Sequence, residues 1–299
     1  MKRTLTGIFP ALVTPFQKGK LSLSGLKSNI KKLNRFDFTG YVVLGSTGEG
    51  ILMDEREGLQ AVETVRAAAA PGKIVIAGTG SESSSGTIDF SNKAARAGAN
   101  YSLVVTPFYY RAQMTAAALE AYYREVADKS KIPIILYTVP KFTGLELPLQ
   151  TIAAMAAHPN VIGLKDSSGN MSAISETLKA CPPDFSLFQG HGSLLFSALL
   201  LGAKGGILAL SNMAPGETVE IYRLFRAGEY EKARELQLKL LSVNQKIVGG
   251  FGVPGIKCAA EMLGYAAGEP RPPLRPVSRE AGDSIRKILK EGGLLQRSQ

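Results

Sequence analysis

Short apolar runs alternate along the chain with longer stretches in which apolar residues recur every three or four positions. After the first run, for example, Leu23, Leu26, Ile30 and Leu33 fall on one helical face. Strictly alternating strands and helices are typical of a parallel sheet. The apolar runs predict eight strands, at residues 7–15, 40–46, 73–80, 101–107, 132–140, 160–168, 185–190 and 205–211.

The number of strand–helix units indicates how the sheet is arranged. Eight units in about 210 residues favour an α/β fold of the (β/α)8 TIM barrel type over residues 1–226. A doubly wound open sheet is the alternative, although no GxGxxG motif opens the first helix. After residue 226 the strand pattern stops, and amphipathic spacing predicts a C-terminal helical extension over residues 227–299.

One predicted strand, "VIGLKDSSG" at residues 161–169, carries a lysine in an apolar run. Strand alternation places Val161, Gly163 and Lys165 on one face, where the glycine leaves room for a ligand. Burial disfavours the charged form of an amine, and a neutral amine can attack a carbonyl to form a Schiff base. An ion pair with Asp166 is the alternative, but alternation turns Asp166 to the opposite face.

Other polar residues follow the predicted strands, at the end of a barrel where active sites lie. They include "GSTGEG" at 45–50, "TPFYYR" at 106–111 and Tyr137 in "LYTVP". The glycines of "GSTGEG" either make only a tight turn or, with the Ser46 and Thr47 hydroxyls, form a nest for a carboxylate. His158 and His191 are too few and too scattered to predict a metal site.

Charge and cysteine content exclude several classes of function. The net charge is +10, but the basic residues are mixed with 25 acidic ones and no aromatic stripe lies among them, which argues against a nucleic-acid binder. No apolar run is long enough to cross a bilayer, and the N-terminus has no signal-peptide pattern. Cys181 and Cys258 are expected to be buried thiols. These features predict a cytoplasmic protein without membrane partners.

Four motifs occur in a characteristic order: "GSTGE", "TPFYY", "YTVP" followed by "TG", and "GLKDSSG". In order and spacing they resemble the motifs of the dihydrodipicolinate synthase / N-acetylneuraminate lyase family, across essentially the whole chain. "TPFYYR" and "YTVPKFTGLELP" are most similar to the 4-hydroxy-2-oxoglutarate aldolase branch. The resemblance implies a Schiff-base pyruvate lyase without metal or separate cofactor, assembled as a homotetramer (a dimer of dimers).

The resemblance also implies a role for each matching residue. Lys165 matches the lysine that condenses with the keto carbon of pyruvate, and Tyr137 the tyrosine that moves protons. Ser46 and Thr47 match the pair that holds the pyruvate carboxylate. Tyr109, linked to Tyr137 through Ser46, matches a tyrosine that reaches into the neighbouring subunit's site.

Further positions bear on the substrate. The backbone carbonyl of Ile207 matches one that faces bound pyruvate. Phe142 stands where family synthases carry an arginine for the carboxylate of aspartate semialdehyde, and Arg111 or Lys141 could bind a distal carboxylate instead. Glu82 replaces an asparagine of lysine-inhibited members, so feedback inhibition is not expected.

The chain is therefore predicted to be an enzyme, a lyase or aldolase for 2-oxo acids of the 4-hydroxy-2-oxoglutarate type and their aldehyde partners. Its alternative within the class is 4-hydroxy-tetrahydrodipicolinate synthase. A catalytically silent barrel that senses a 2-oxo acid is a rival hypothesis. The intact set of Lys165, Tyr137 and Ser46 argues against it, because a binding protein needs no nucleophilic amine.

Overall fold

A computed structural model describes residues 4–295, and every predicted strand is present in it. Eight parallel strands form one sheet in the order β1-β10-β9-β8-β7-β6-β5-β4, and β2 and β3 form a small antiparallel hairpin. The strands are β1 Gly7–Pro10, β2 Phe16–Gln17, β3 Lys20–Leu21, β4 Gly40–Val43, β5 Ile74–Gly78, β6 Tyr101–Val105, β7 Ile134–Thr138, β8 Val161–Asp166, β9 Ser186–Gln189 and β10 Gly205–Leu208.

The sheet closes on itself. β1 pairs with β10 along its length, with Phe9 opposite Ile207. Just beyond β1, Ala11 forms a parallel bridge with Val42 of β4, and the Leu12 amide donates to the Val42 carbonyl at 2.9 Å. The two end strands are thus joined, so the (β/α)8 prediction is confirmed and the open-sheet alternative is wrong.

Helices follow the strands and cover the barrel. Several helices start with a side-chain cap, as does α2, where Asp54 and Glu57 form a reciprocal capping box. The helices are α1 Leu23–Leu33, α2 Glu55–Ala68, α3 Ser84–Arg96, α4 Ala116–Lys129, α5 Pro140–Thr143, α6 Leu149–Ala156, α7 Met171–Ala180, α8 Leu195–Leu201, α9 Pro215–Arg226, α10 Tyr230–Val243, α11 Gly252–Met262 and α12 Arg279–Glu291, with a π-helix at Asn244–Phe251.

The C-terminal helices pack on the barrel and share its core. Leu240 of α10, Ile256 of α11 and Ile285 of α12 belong to the same buried cluster as Leu12 and Leu210. The predicted boundary after residue 226 coincides with the end of α9, and a division there into two units stays a prediction. Residues 1–3 of the predicted barrel and residues 296–299 of the predicted helical extension lie outside the described residues. Between residues 4 and 295, no helix is long and apolar enough to span a membrane.

Strand β8 contains an irregularity that alternation did not predict. The register with β7 shifts between Val161 and Gly163. Val161 therefore packs in the outer layer, while Ile162 packs with the residues inside the barrel. The expectation that Val161 shares a face with Lys165 is wrong. Gly163 also has another purpose, because a Cβ there would lie 2.1 Å from the Ser186 carbonyl oxygen, so the glycine lets β8 and β9 approach.

Candidate active site

Lys165 and Tyr137 lie side by side inside the barrel. They are paired across β7 and β8, and the Lys165 Nζ atom lies 4.1 Å from the centre of the Tyr137 ring. Each residue is 4% exposed. A lysine is rarely so buried without a charge partner. Its amine thus faces an aromatic ring in a poorly hydrated space, which is the environment expected of a Schiff-base lysine.

Asp166 does not supply that partner. Its carboxylate accepts hydrogen bonds from the Ser168 amide at 2.7 Å and the Ser168 hydroxyl at 2.6 Å. Burial raises the pKa of Asp166 above its ordinary value, and the bonds from Ser168 oppose that change. The carboxylate is thus engaged with its own loop, and the ion-pair alternative for Lys165 finds no support here.

The "GSTGEG" turn contacts this pair through Ser46. Its hydroxyl lies 3.5 Å from the Tyr137 hydroxyl, and it opens a short 3₁₀ helix, Ser46–Gly48. Thr47 follows in the same turn, and both residues are half-buried. The structure therefore brings together Lys165, Tyr137 and Ser46, three of the predicted residues, with Thr47 adjacent.

The turn has an uncommon backbone. Leu44 and Glu49, which flank it, have φ values of 62° and 56°. Non-glycine residues rarely adopt this left-handed conformation. A Cβ at Gly50 would lie 2.2 Å from the Leu44 carbonyl oxygen, so the turn also needs a glycine there. Such a backbone persists only where surrounding contacts impose it.

A buried ion pair supplies those contacts, and the sequence reasoning missed it. Lys257 of α11 donates to the Glu49 carboxylate at 2.7 Å, and both side chains are 1% exposed. Burial lowers the pKa of Lys257, and the Glu49 carboxylate opposes that change. A signal existed, because Lys257 interrupts the apolar run "GIKCAA" much as Lys165 interrupts its strand.

Tyr109 is not brought to the site within one chain. Its ring is 74% exposed and makes an edge contact with Tyr110, with 5.1 Å between ring centres. The Glu82 carboxylate fixes the loop by accepting from the amides of Phe108 at 2.9 Å and Tyr109 at 2.8 Å. The role of Tyr109 in a neighbouring subunit's site stays a prediction.

The segment after β7 holds the residues expected to select the substrate. Phe142 lies on α5 and is 58% exposed. Lys141 donates to the Gly249 carbonyl of the π-helix at 2.9 Å. A Cβ at Gly144 would lie 2.8 Å from the Arg111 guanidinium, so this cation packs against the same segment. Ile207, by contrast, is fully buried on β10 inside the barrel.

The two histidines have different surroundings. His158 contacts Asp128, with 2.9 Å between Nε2 and Oδ1. His191 follows β9, and its buried Nδ1 atom has no hydrogen-bond partner among the residues described. Burial and, secondarily, the charge of Lys141 lower the pKa of His191. In the described part of the chain, no group of three His, Cys, Asp or Glu residues could hold a metal ion.

The fold and the site together define a class of protein: a closed parallel barrel whose candidate nucleophile is a buried amine at the carboxyl ends of the strands. The chain matches the model of the Dihydrodipicolinate synthetase family over residues 4–292, and it belongs to that family. It is therefore a lyase, a class I pyruvate-dependent aldolase of this family.

Comparisons with individual proteins agree with this membership. A 4-hydroxy-tetrahydrodipicolinate synthase from an Exiguobacterium species is 36% identical over 96% of this chain and 97% of its own. The crystal structure of dihydrodipicolinate synthase from Thermotoga maritima has a TM-score of 0.92 at 31% identity, covering 98% of this chain and 100% of that one. A chloride-inhibited synthase from Acinetobacter baumannii, complexed with pyruvate, has a TM-score of 0.93 at 27% identity, covering 98% and 100%.

Proposed function

We propose that Lys165 forms a Schiff base with pyruvate. The observation that carries the proposal is the burial of Lys165, which is 4% exposed, with its amine against the ring of Tyr137. The amine attacks the keto carbon, and the carbonyl oxygen leaves as water. The resulting iminium withdraws electrons, so the methyl carbon loses a proton and the enamine attacks an aldehyde. Cleavage is the reverse sequence. No separate cofactor takes part in this scheme.

Tyr137 moves the protons that these steps require. Its hydroxyl is the polar group on the ring that contacts Lys165, and it is connected to the Ser46 hydroxyl at 3.5 Å. Proton transfer by a positioned side chain is typically worth about 10²–10⁴-fold in rate. Tyr109 of a second copy would extend this relay. The exposure of its ring supports a homo-oligomer. The assembly proposed is a dimer of dimers, and the compartment proposed is the cytoplasm.

The turn at Ser46 and Thr47 binds the carboxylate of pyruvate. Its hydroxyls and its backbone N–H groups at the start of a 3₁₀ helix suit an anion. The Ile207 carbonyl, on a strand that lines the barrel interior, faces the bound substrate in this proposal. Fixing the carboxylate holds the keto carbon near Lys165, which lowers the entropic cost of attack.

Two reactions are candidates. The names of the relatives support condensation with aspartate semialdehyde, the reaction of 4-hydroxy-tetrahydrodipicolinate synthase. Phe142 favours the second candidate, cleavage of a substrate of the 4-hydroxy-2-oxoglutarate type, because its ring cannot donate to the carboxylate of the semialdehyde as the arginine of family synthases would. An unmatched buried carboxylate costs roughly 1–3 kcal/mol or more. In either reaction the carboxylate of the substrate needs a cationic partner. The guanidinium of Arg111, which packs on Gly144, could bind it in place of the arginine that family synthases carry at position 142.

The deciding experiment is kcat/KM for both reactions on one preparation. Synthase turnover that exceeds aldol cleavage assigns the chain to the first candidate, and the reverse ratio assigns it to the second. Absence of both activities, with no pyruvate turnover for any aldehyde tested, would favour the silent 2-oxo-acid sensor and contradict the proposed function.

A further inference from the structure

The C-terminal helices reach the carboxylate-binding turn through one buried lysine. Lys257, on α11, lies 208 positions along the chain from Glu49. Its ammonium group donates to the Glu49 carboxylate at 2.7 Å and to the carbonyls of Thr14 and Glu269 at 3.0 Å each. It also lies 4.3 Å from the centre of the Phe16 ring. All three of its protons are therefore used, and none of these partners is Lys165, Tyr137 or Ser46.

Glu49 is held as completely as its partner. Its second carboxylate oxygen accepts from the Arg271 amide at 2.7 Å. One residue earlier, the Gly48 carbonyl accepts from the Thr14 hydroxyl at 2.6 Å. The end of the turn is thus fixed by three distant parts of the chain: residues 14–16, α11 and the loop at 269–271.

Stability alone gives a weak reason for such a pair. Removing two charges from water is costly, and a buried ion pair is often no more stable than apolar residues of the same volume. What the pair supplies is a single position for Glu49, whose left-handed backbone closes the turn that carries Ser46 and Thr47. The geometry points to a role in setting the direction of those hydroxyls and N–H groups.

We propose that Glu49 and Lys257 are positioning residues for the pyruvate carboxylate, an inference that rests on the proposed function. Neither touches Lys165 or Tyr137. If the pair is broken, Glu49 is left as an uncompensated charge beside the turn, and the turn moves or loosens. Pyruvate should then bind more weakly, while the attack by Lys165 on bound pyruvate continues.

The test uses pyruvate alone, so it does not depend on the unknown aldehyde. Borohydride reduces the imine, and mass spectrometry of the intact chain measures the labelled fraction against pyruvate concentration. Lys257→Met should raise the half-saturating pyruvate concentration tenfold or more, with one label per chain still reached at saturation. Glu49→Gln, which keeps the shape and removes the charge, should raise it threefold or more.

The control variant is Asn160→Ala, at the opposite end of the barrel. Asn160 precedes β8, and its side chain donates to the carbonyls of Ala127 at 2.8 Å and Ser130 at 3.0 Å. Its loss should lower the thermal midpoint, while half-saturation stays within twofold of wild type. Residues at this end of a barrel serve stability rather than activity.

Three results would overturn the inference. One is a folded Lys257→Met chain with half-saturation within twofold of wild type. Another is an Asn160→Ala chain whose half-saturating pyruvate concentration rises as much as that of Lys257→Met. If Lys257→Met does not fold, an unchanged half-saturation in Glu49→Gln is the decisive contrary result. A wild-type chain that takes no label is distinguishable, because it refutes the proposed function itself.

Discussion

Replacing Tyr137 by phenylalanine removes one hydroxyl and keeps the ring that contacts Lys165. The contact of that hydroxyl with Ser46, at 3.5 Å, is at the long limit of a hydrogen bond. Its loss should therefore cost less than about 1 kcal/mol of folding stability. The ring stays 4.1 Å from the Lys165 amine, so the nucleophile keeps its surroundings. Catalysis should suffer far more than stability does.

The expected loss of turnover is about 10²–10⁴-fold, which corresponds to roughly 2.7–5.4 kcal/mol in the barrier. Steady-state kcat with pyruvate and the better aldehyde measures it, and thermal unfolding measures the stability. Tyr123→Phe is a control for the loss of a buried hydroxyl: Tyr123 is fully buried and donates to Thr106 at 3.2 Å, but it lies on α4, outside the barrel. Tyr137→Phe with more than a tenth of wild-type turnover would refute the relay.

Three further predictions concern the subunit contact, the substrate and pH. Mixing inactive Tyr109→Phe and Lys165→Ala chains should restore part of the activity in verified mixed dimers, because one site then receives both native residues; no recovery argues against a shared site. Phe142→Arg should shift the ratio of kcat/KM values toward the synthase reaction, and an unchanged ratio would mean that Phe142 does not line the site. Burial holds the pKa of His191 below that of the unfolded chain, so the folded protein loses stability as the pH falls through about 6.5. Thermal midpoints between pH 7 and 5.5 should therefore fall less for His191→Gln than for wild type, and equal slopes would contradict the assignment.

Local pattern was enough to predict the barrel. Each of the eight predicted strands is present. The strands of a parallel sheet are buried on both faces, so each one is visible in the sequence as a short continuous apolar run. The position of Lys165 followed from the same pattern, because a charge in such a run needs a chemical reason. Its register against Tyr137 needed the structure.

The errors and omissions have a common physical origin in long-range pairing. The register shift in β8 depends on how closely β7 and β9 approach Gly163. Strand alternation within one segment does not predict such contacts between strands. The Glu49–Lys257 pair joins residues 208 positions apart, so neither local spacing nor motif order predicts it. Tyr109 faces outward in a single chain, and its predicted role needs a second copy.

Trapping with pyruvate and borohydride tests whether Lys165 is the nucleophile. The reduced adduct should appear once per chain, and peptide mapping should place it on Lys165. Lys165→Ala should take no label and lose turnover while its unfolding midpoint shows an intact fold. A label on another lysine, or an active wild-type chain that is never labelled, would contradict the Schiff-base mechanism.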